Sequence, residues 1–446
     1  MSNRLFLLLL ASGLLATAQT TNFTATGSIQ TYTVPPGVFE IQIDAAGAQG
    51  GAGGTNGGPT PLPGGPGARL LATFPVTPGE ILNIVVGGQG KTSGNNGGGG
   101  GGSFVYRTPN QMGLLIGAAG GGGAGVGLAG ASGSSSNTAF DGDSASTPGG
   151  TAGTGGNGGG GGGTDGGGGG GSGLLSNGGD GNAGAATGSG GKALANGANG
   201  GTGDADGGFG GGGAALFGAG GGGGYNGGGG GGGGGAVPAG GGGSFSASTP
   251  SIATDGFQSG DGYVTITAIL VPTDAFQVNY ASNLQAGDSF VNISNTGSSG
   301  ANLCANVYVF DPSEEMVACC SCLITPNAVQ SLSVQGDLIS NTLSPSTPQS
   351  VVIKILASTP TGASCNPASL TIQTLEPGLR AWGTKLHALP ANPVNYGVTE
   401  TGFLSGGISP AELTHLTSFC GFVNANGSGF GICKSCRAGG LNGTKQ

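Results

Sequence analysis

Between residues 118 and 243, 63 of 126 positions are glycine, and the runs at 158–163, 166–171, 220–224 and 227–235 are uninterrupted. Glycine loses more backbone freedom on folding than any other residue and brings no side chain to bury. Such a tract either stays unfolded or folds through backbone hydrogen bonds alone. Collagen is excluded, because the strict three-residue glycine period is missing and proline is only 23 of 446 residues. The common kind of disorder couples low hydrophobicity to high charge. Here only 7% of residues are charged, with a net charge of −9. That balance also argues against nucleic-acid binding, which needs clustered lysine and arginine.

The tract is bracketed by strand signals. Residues 28–34 and 38–44 flank Pro35-Pro36-Gly37, and in the second of them Phe39, Ile41 and Ile43 alternate with Glu40, Gln42 and Asp44. Residues 68–74 and 81–86 surround Thr77-Pro78-Gly79-Glu80. Residues 103–107 and 113–117 surround Thr108-Pro109-Asn110, and residues 262–270 supply a last strand after the tract. The tract is therefore expected as an insertion into a β-domain. A structureless loop of that length is uncommon in a compact domain, so order is expected. X-Gly-Gly runs can form extended left-handed helices with three residues per turn, and their free N–H groups can bond laterally. Ordering costs about 1–2 kcal/mol per residue, and each hydrogen bond returns about 0.5–1.5 kcal/mol net. Such helices need many neighbours and a frame that holds their ends.

The segments AAGAQGGAGG (45–54), ILNIVVGGQG (81–90), GGGGGGSFVYR (97–107), LLIGAAGGGGAG (114–125), GGGYNGGGGG (222–231) and GGGGSF (240–245) occur in this order. Together, over roughly residues 23–270, they resemble the glycine-rich domain of the anaplastic-lymphoma-kinase and leukocyte-tyrosine-kinase receptors and its bacterial relatives. The resemblance implies a tumour-necrosis-factor-like β-sandwich with an inserted bundle of polyglycine-II-type helices, in a module that is extracellular and binds cytokines in the receptors. It implies no kinase, since VAIK, HRD and DFG motifs are absent from the chain.

The N-terminus carries the pattern of a secretory signal: Arg4, an apolar stretch at 5–15, and Ala16-Thr17-Ala18 as a cleavage site. The expected organisation is a signal peptide at 1–18, a glycine-rich β-domain at 19–271 with its insertion at about 118–243, and a cysteine-containing domain at 272–446. No later run has the length of a membrane helix. In the last domain, strand-like stretches at 290–294, 305–310, 331–334 and 350–357 predict a mostly β fold. Ser409, Pro410 and Glu412 predict a helix start with a capping box, followed by an apolar face of Leu413, Leu416, Phe419 and Val423. NLQAGDSFVNISNTG, ACCSCLITPN, GDLISNTLSP and NGSGFGICKSC resemble a C-terminal module of secreted bacterial proteins, which implies no activity.

Cys304, Cys319, Cys320, Cys322, Cys365, Cys420, Cys433 and Cys436 are the only cysteines. In an exported chain an even number reads as disulfides rather than zinc ligands, with 105 connectivities open. IVVGGQGKT (84–92) is not a nucleotide P-loop, because its first glycine position holds Val85 and no helix can follow. Asp141, Asp143, Asp165, Asp180, Asp204 and Asp206 lack the spacing of a calcium loop and read as solvated surface. His387 and His415 lie in no catalytic motif, and Trp382 reads as a core or interface anchor. Phe140, Phe209, Phe217 and Tyr225 are the candidate recognition aromatics; they either project from the tract or seal it against the β-frame. No cofactor, metal or catalytic residue is expected. The expected role is a secreted, non-enzymatic recognition or adhesion protein for an extracellular protein, glycan or surface. The alternatives are a self-associating matrix protein and a secreted hydrolase.

Overall fold

The computed structural model describes residues 19–55, 61–107, 113–181, 188–234, 237–270, 274–389, 392–434 and 437–438. The expected signal peptide, the Thr108-Pro109-Asn110 turn, the domain junction at 271–273 and Cys436 lie outside the described residues. The chain divides into two compact units, Thr17–Ile269 and one that begins at Leu270. Both are mainly β. Among the described residues no helix is long and apolar enough to cross a membrane.

The first unit is built on two five-stranded sheets. One contains β1 (Thr20–Thr24), β3 (Val38–Ala46), β4 (Gly67–Pro75), β9 (Ile252–Gln258) and β10 (Tyr263–Leu270), in the order β1-β10-β3-β4-β9. The other contains β2 (Gln30–Thr33), β5 (Ile81–Val85), β6 (Ser103–Arg107), β7 (Leu114–Ala118) and β8 (Phe245–Ser246), in the order β2-β5-β6-β7-β8. The alternation expected in β3 holds from Ile41 onward, while Phe39 is only half-buried and Val38 takes the buried place at the strand's start. Ile41 and Ile43 are fully buried while Glu40, Gln42 and Asp44 stay at the margin. β3 and β4 pack against β7. β1 and β9 were not foreseen; TTNFT and IATDGFQ are too polar to announce a strand and are held by pairing with β10 and β4.

The glycine tract leaves the frame after β7 and re-enters it at β8, and these two strands pair directly, Ile116 opposite Ser246 and Gly117 opposite Phe245. The insertion is thus clamped at its base by one strand pair. Within it, and between it and the glycines that precede β6, backbone bonds cross between chain segments. Gly220 and Gly223 donate to Gly97 and Gly100 (3.0 and 2.9 Å), and Gly221 and Gly224 donate to Gly169 and Ser172 (2.9 and 3.1 Å). Gly222 donates to Gly240 (2.9 Å). In return, the carbonyls of Gly220 and Gly223 accept from Gly123 and Gly120, that of Gly221 from Gly213, and that of Gly222 from Gly228. The bonding direction repeats every third residue, and this one segment is bonded to six others. A Cβ at Gly221 would lie 2.2 Å from the Gly228 carbonyl oxygen, and one at Gly222 would lie 2.3 Å from that of Gly120. The segments approach closely only because side chains are missing.

The second unit also has two five-stranded sheets. The first contains β11 (Phe276–Ala281), β13 (Leu303–Phe310), β14 (Met316–Ile324), β16 (Val351–Ser358) and β19 (Leu404–Gly406), in the order β14-β13-β16-β11-β19. The second contains β12 (Phe290–Asn295), β15 (Val329–Ser333), β17 (Leu379–Leu389), β18 (Asn392–Gly402) and β20 (Arg437–Ala438), in the order β18-β17-β12-β15-β20. The strand expected at 331–334 instead ends at Ser333, whose hydroxyl accepts from Gly336 N–H and caps a π-helical turn, Val334–Leu338. The β17–β18 hairpin, β11 and β14 were not expected.

The one α-helix among the described residues, α1 (Pro410–Ala425), starts where the sequence places it, with the Ser409 hydroxyl accepting from Glu412 N–H (3.1 Å). Two details differ. The Glu412 carboxylate does not close a capping box but reaches Lys354 Nζ (2.5 Å) on β16. The buried face is Leu413, Leu416, Cys420 and Val423, while Phe419 is 49% exposed. Six residues beyond Leu413 lies off the helical stripe, whereas seven returns to it, and Cys420 is pinned there by a disulfide.

Candidate functional site

The frame end of the glycine tract is sealed by side chains. Leu174, Leu194 and Ala198 from the tract join Val85, Phe104, Tyr106 and Leu114 in one buried cluster, with Phe209, Tyr225 and Phe245 packed against it. Tyr225 stacks on Phe245 at 4.8 Å between ring centroids. Two of the four candidate aromatics therefore face the frame.

The other two face outward. Phe217 is 59% exposed and Phe140 is 45% exposed. Each stands on backbone that is itself bonded into the array. Phe217 N–H donates to Gly166 (2.8 Å), and Phe140 N–H donates to Gly241 (2.9 Å) while its carbonyl accepts from Gly229. The Phe217 ring lies over Gly166, where a Cβ would come within 2.2 Å of it. Leu128 and Leu175 are also exposed, at 49% and 47%. Neither stands out in the sequence: Leu128 lies in VGLA, and Leu175 follows Leu174, which is buried.

The six tract aspartates are exposed, as expected of solvated surface, and three of them also hold backbone. Asp141, Asp180 and Asp206 accept backbone N–H groups of Ala152 (2.6 Å), Gly190 (2.8 Å) and Gly203 (3.1 Å). They satisfy amides where the array turns and its lateral bonding stops. Among the described residues no three of His, Cys, Asp and Glu gather into a metal-holding group. At the end of β5, Lys91 N–H donates to Asp206 O (2.9 Å) and Thr92 pairs with Gly97, a strand end and turn with no helix behind it.

In the second unit the cysteines form Cys304–Cys365, Cys319–Cys420 and Cys320–Cys433. Cys322 is disulfide-bonded as well. The neighbouring Cys319 and Cys320 do not pair with each other. They point to opposite sides of β14, one toward α1 and the other toward the segment after it.

His387 is exposed on β17, across from Gly397 of β18. His415 lies between Phe310 (6.3 Å) and Phe419 (4.5 Å) ring centroids, with Nδ1 3.8 Å from Glu412 Oε2. Ser344 and His415 line one open groove between α1 and the loop at 343–345, but the Ser344 hydroxyl donates to Ser346 O (3.3 Å). No nucleophile–base hydrogen bond joins them among the described residues. Trp382 is half-buried in β17, opposite Asn292 and Gly402.

No protein-family model matches this chain, and no curated protein matches it significantly.

Proposed function

We propose that this chain is a secreted, non-enzymatic recognition or adhesion protein whose glycine-rich unit is a rigid platform for a few exposed apolar side chains. The observation that carries the reading is the pairing of a side-chain-free hydrogen-bonded array with Phe140 and Phe217 exposed on fixed backbone. Large apolar side chains on preorganised supports lose little entropy on binding, which suits them as anchors. The three-residue repeat of bond directions around 220–224 supports a bundle of polyglycine-II-type helices, since such helices have three residues per turn. The two-sheet frame supports a tumour-necrosis-factor-like sandwich beneath it. The disulfides of the second unit support an oxidising, extracellular location.

The test is binding of the purified protein to panels of extracellular proteins, glycans and cell surfaces, beside Phe140→Ser and Phe217→Ser variants. The reading predicts a ligand whose binding falls in at least one variant while the melting temperature holds. If no ligand is found and light scattering instead shows reversible, concentration-dependent assembly, the matrix-protein reading replaces it. The hydrolase reading draws only on the proximity of His415, Glu412 and Ser344.

A further inference from the structure

We propose that the second unit carries a docking groove for a basic, apolar peptide segment of a partner protein. The groove has a volume of about 510 Å³ and runs between α1, the β13–β14 turn and the loop at 343–345. Its walls are apolar. Met316 and Val423 form the floor, Leu343 and Pro345 one side, and Phe419 and Phe422 the other. Phe419 and Phe422 are 49% and 66% exposed, on successive turns of α1. A small-molecule site encloses most of its ligand. A wall as open as Phe422 suits an occupant that continues beyond the groove, as an extended peptide does.

Charge selects the kind of peptide. The groove is also lined by Glu314 and Glu315, and neither carboxylate has an ion-pair or hydrogen-bond partner among the described residues. Their turn is held in place, with Glu314 at φ 67° and Glu315 N–H donating to Asp311 Oδ1 (3.0 Å). Lys354 does not neutralise them: it is committed to Glu412 (2.5 Å) and to the face of Phe310 (4.6 Å). His415 is held between two aromatic rings. Two unpaired carboxylates beside two exposed phenyl faces favour a lysine or arginine flanking an apolar anchor: the anchor takes the floor, and the cation takes the carboxylates and the ring faces. This site is independent of the glycine-rich unit and of the reading given for it.

The test is fluorescence anisotropy on the full secreted chain with a labelled hexapeptide alternating lysine with leucine and phenylalanine. The same peptide with glutamate for lysine, and one with serine for the apolar residues, serve as controls. The lysine–apolar peptide should bind, and binding should weaken with added salt. Phe422→Ser, and the pair Glu314→Gln with Glu315→Gln, should each weaken it by roughly tenfold. These positions are exposed, so the variants should keep the wild-type melting temperature, and Glu400→Gln on β18 should leave binding unchanged. The proposal is overturned if the lysine–apolar peptide does not bind, if the glutamate peptide binds equally well, or if the groove variants bind like wild type. It is also overturned if light scattering shows a dimer that Phe422→Ser dissolves, which would make a second copy the occupant.

Discussion

Replacing Gly221 by alanine should destabilise the glycine-rich unit far more than replacing Gly94. At Gly221 the new Cβ would lie 2.2 Å from Gly228 O and 2.8 Å from Gly171 N, whereas at Gly94 it would meet nothing within 4 Å. A carbon–oxygen contact needs about 3.3 Å, so the segment at 228 must retreat by about 1 Å. That movement stretches two bonds, Gly228 N–H to Gly222 O and Gly171 N–H to Gly228 O, both now 2.8 Å. A buried amide that loses its partner costs about 1–3 kcal/mol, and overpacking itself costs about 1–3 kcal/mol. Their sum is about 2–6 kcal/mol. A unit of this size shifts its Tm by about 2–4 °C per kcal/mol, so Gly221→Ala should lower it by about 4–24 °C. Gly94→Ala should be neutral or raise stability by up to about 1 kcal/mol, because alanine narrows the unfolded ensemble. Differential scanning calorimetry on both variants decides the matter. If Gly221→Ala melts within about 2 °C of wild type, the close-packed backbone array is refuted.

Hydrogen exchange should show slow amides at Gly221, Gly222 and Gly228, which are bonded within the array, and fast exchange at Gly94; rapid exchange at all four would mean the array opens freely. Removing the Cys319–Cys420 bridge with a double alanine substitution should cost the second unit up to about 3 kcal/mol in urea denaturation, since Cys320–Cys433 already ties the same two segments and leaves only a short further loop to close. An unchanged midpoint would show that α1 is held on β14 by packing alone. Asp255 accepts Ser135 N–H (2.5 Å), which holds its carboxyl below the ordinary value. The ionised form is favoured in the folded state, so its contribution is complete above the unfolded pKa and is lost as pH falls through the lowered folded one. The stability gap between wild type and Asp255→Asn should therefore close as the pH drops below about 4; a gap independent of pH would count against this role.

What could be read from residue order alone was whatever depends on near neighbours. The period of two in β3 reports which side chains face the core, and Ser409 with Pro410 marks the start of α1, because both signals act within a few residues. Composition also required the tract to rely on backbone bonding if it folded. Where a local signal was shared between elements it misled. Phe419 looked like core from apolar spacing but lies outside the stripe that Cys420 completes. The polar strands β1 and β9 gave no clear alternation and form through partners distant in the chain, whereas the cysteine-rich β14, equally without alternation, forms a hairpin with the adjacent β13.

Only the tertiary structure decided which glycine segments lie side by side, which cysteines pair, and which aromatics remain outside. Glycine carries no side-chain pattern, so nothing in a run such as 227–235 records its neighbours. Those follow from backbone donors and acceptors meeting across separations of up to more than a hundred residues, as between Gly220 and Gly97. Phe209 and Tyr225 differ from Phe140 and Phe217 for the same reason: where the array meets β5, β6 and β7, an aromatic ring packs against the core and is half-buried, and elsewhere it is left exposed. The groove beside α1 assembles from residues as far apart as Glu314 and Val423, which become neighbours only when the disulfide-linked sheet and helix come together.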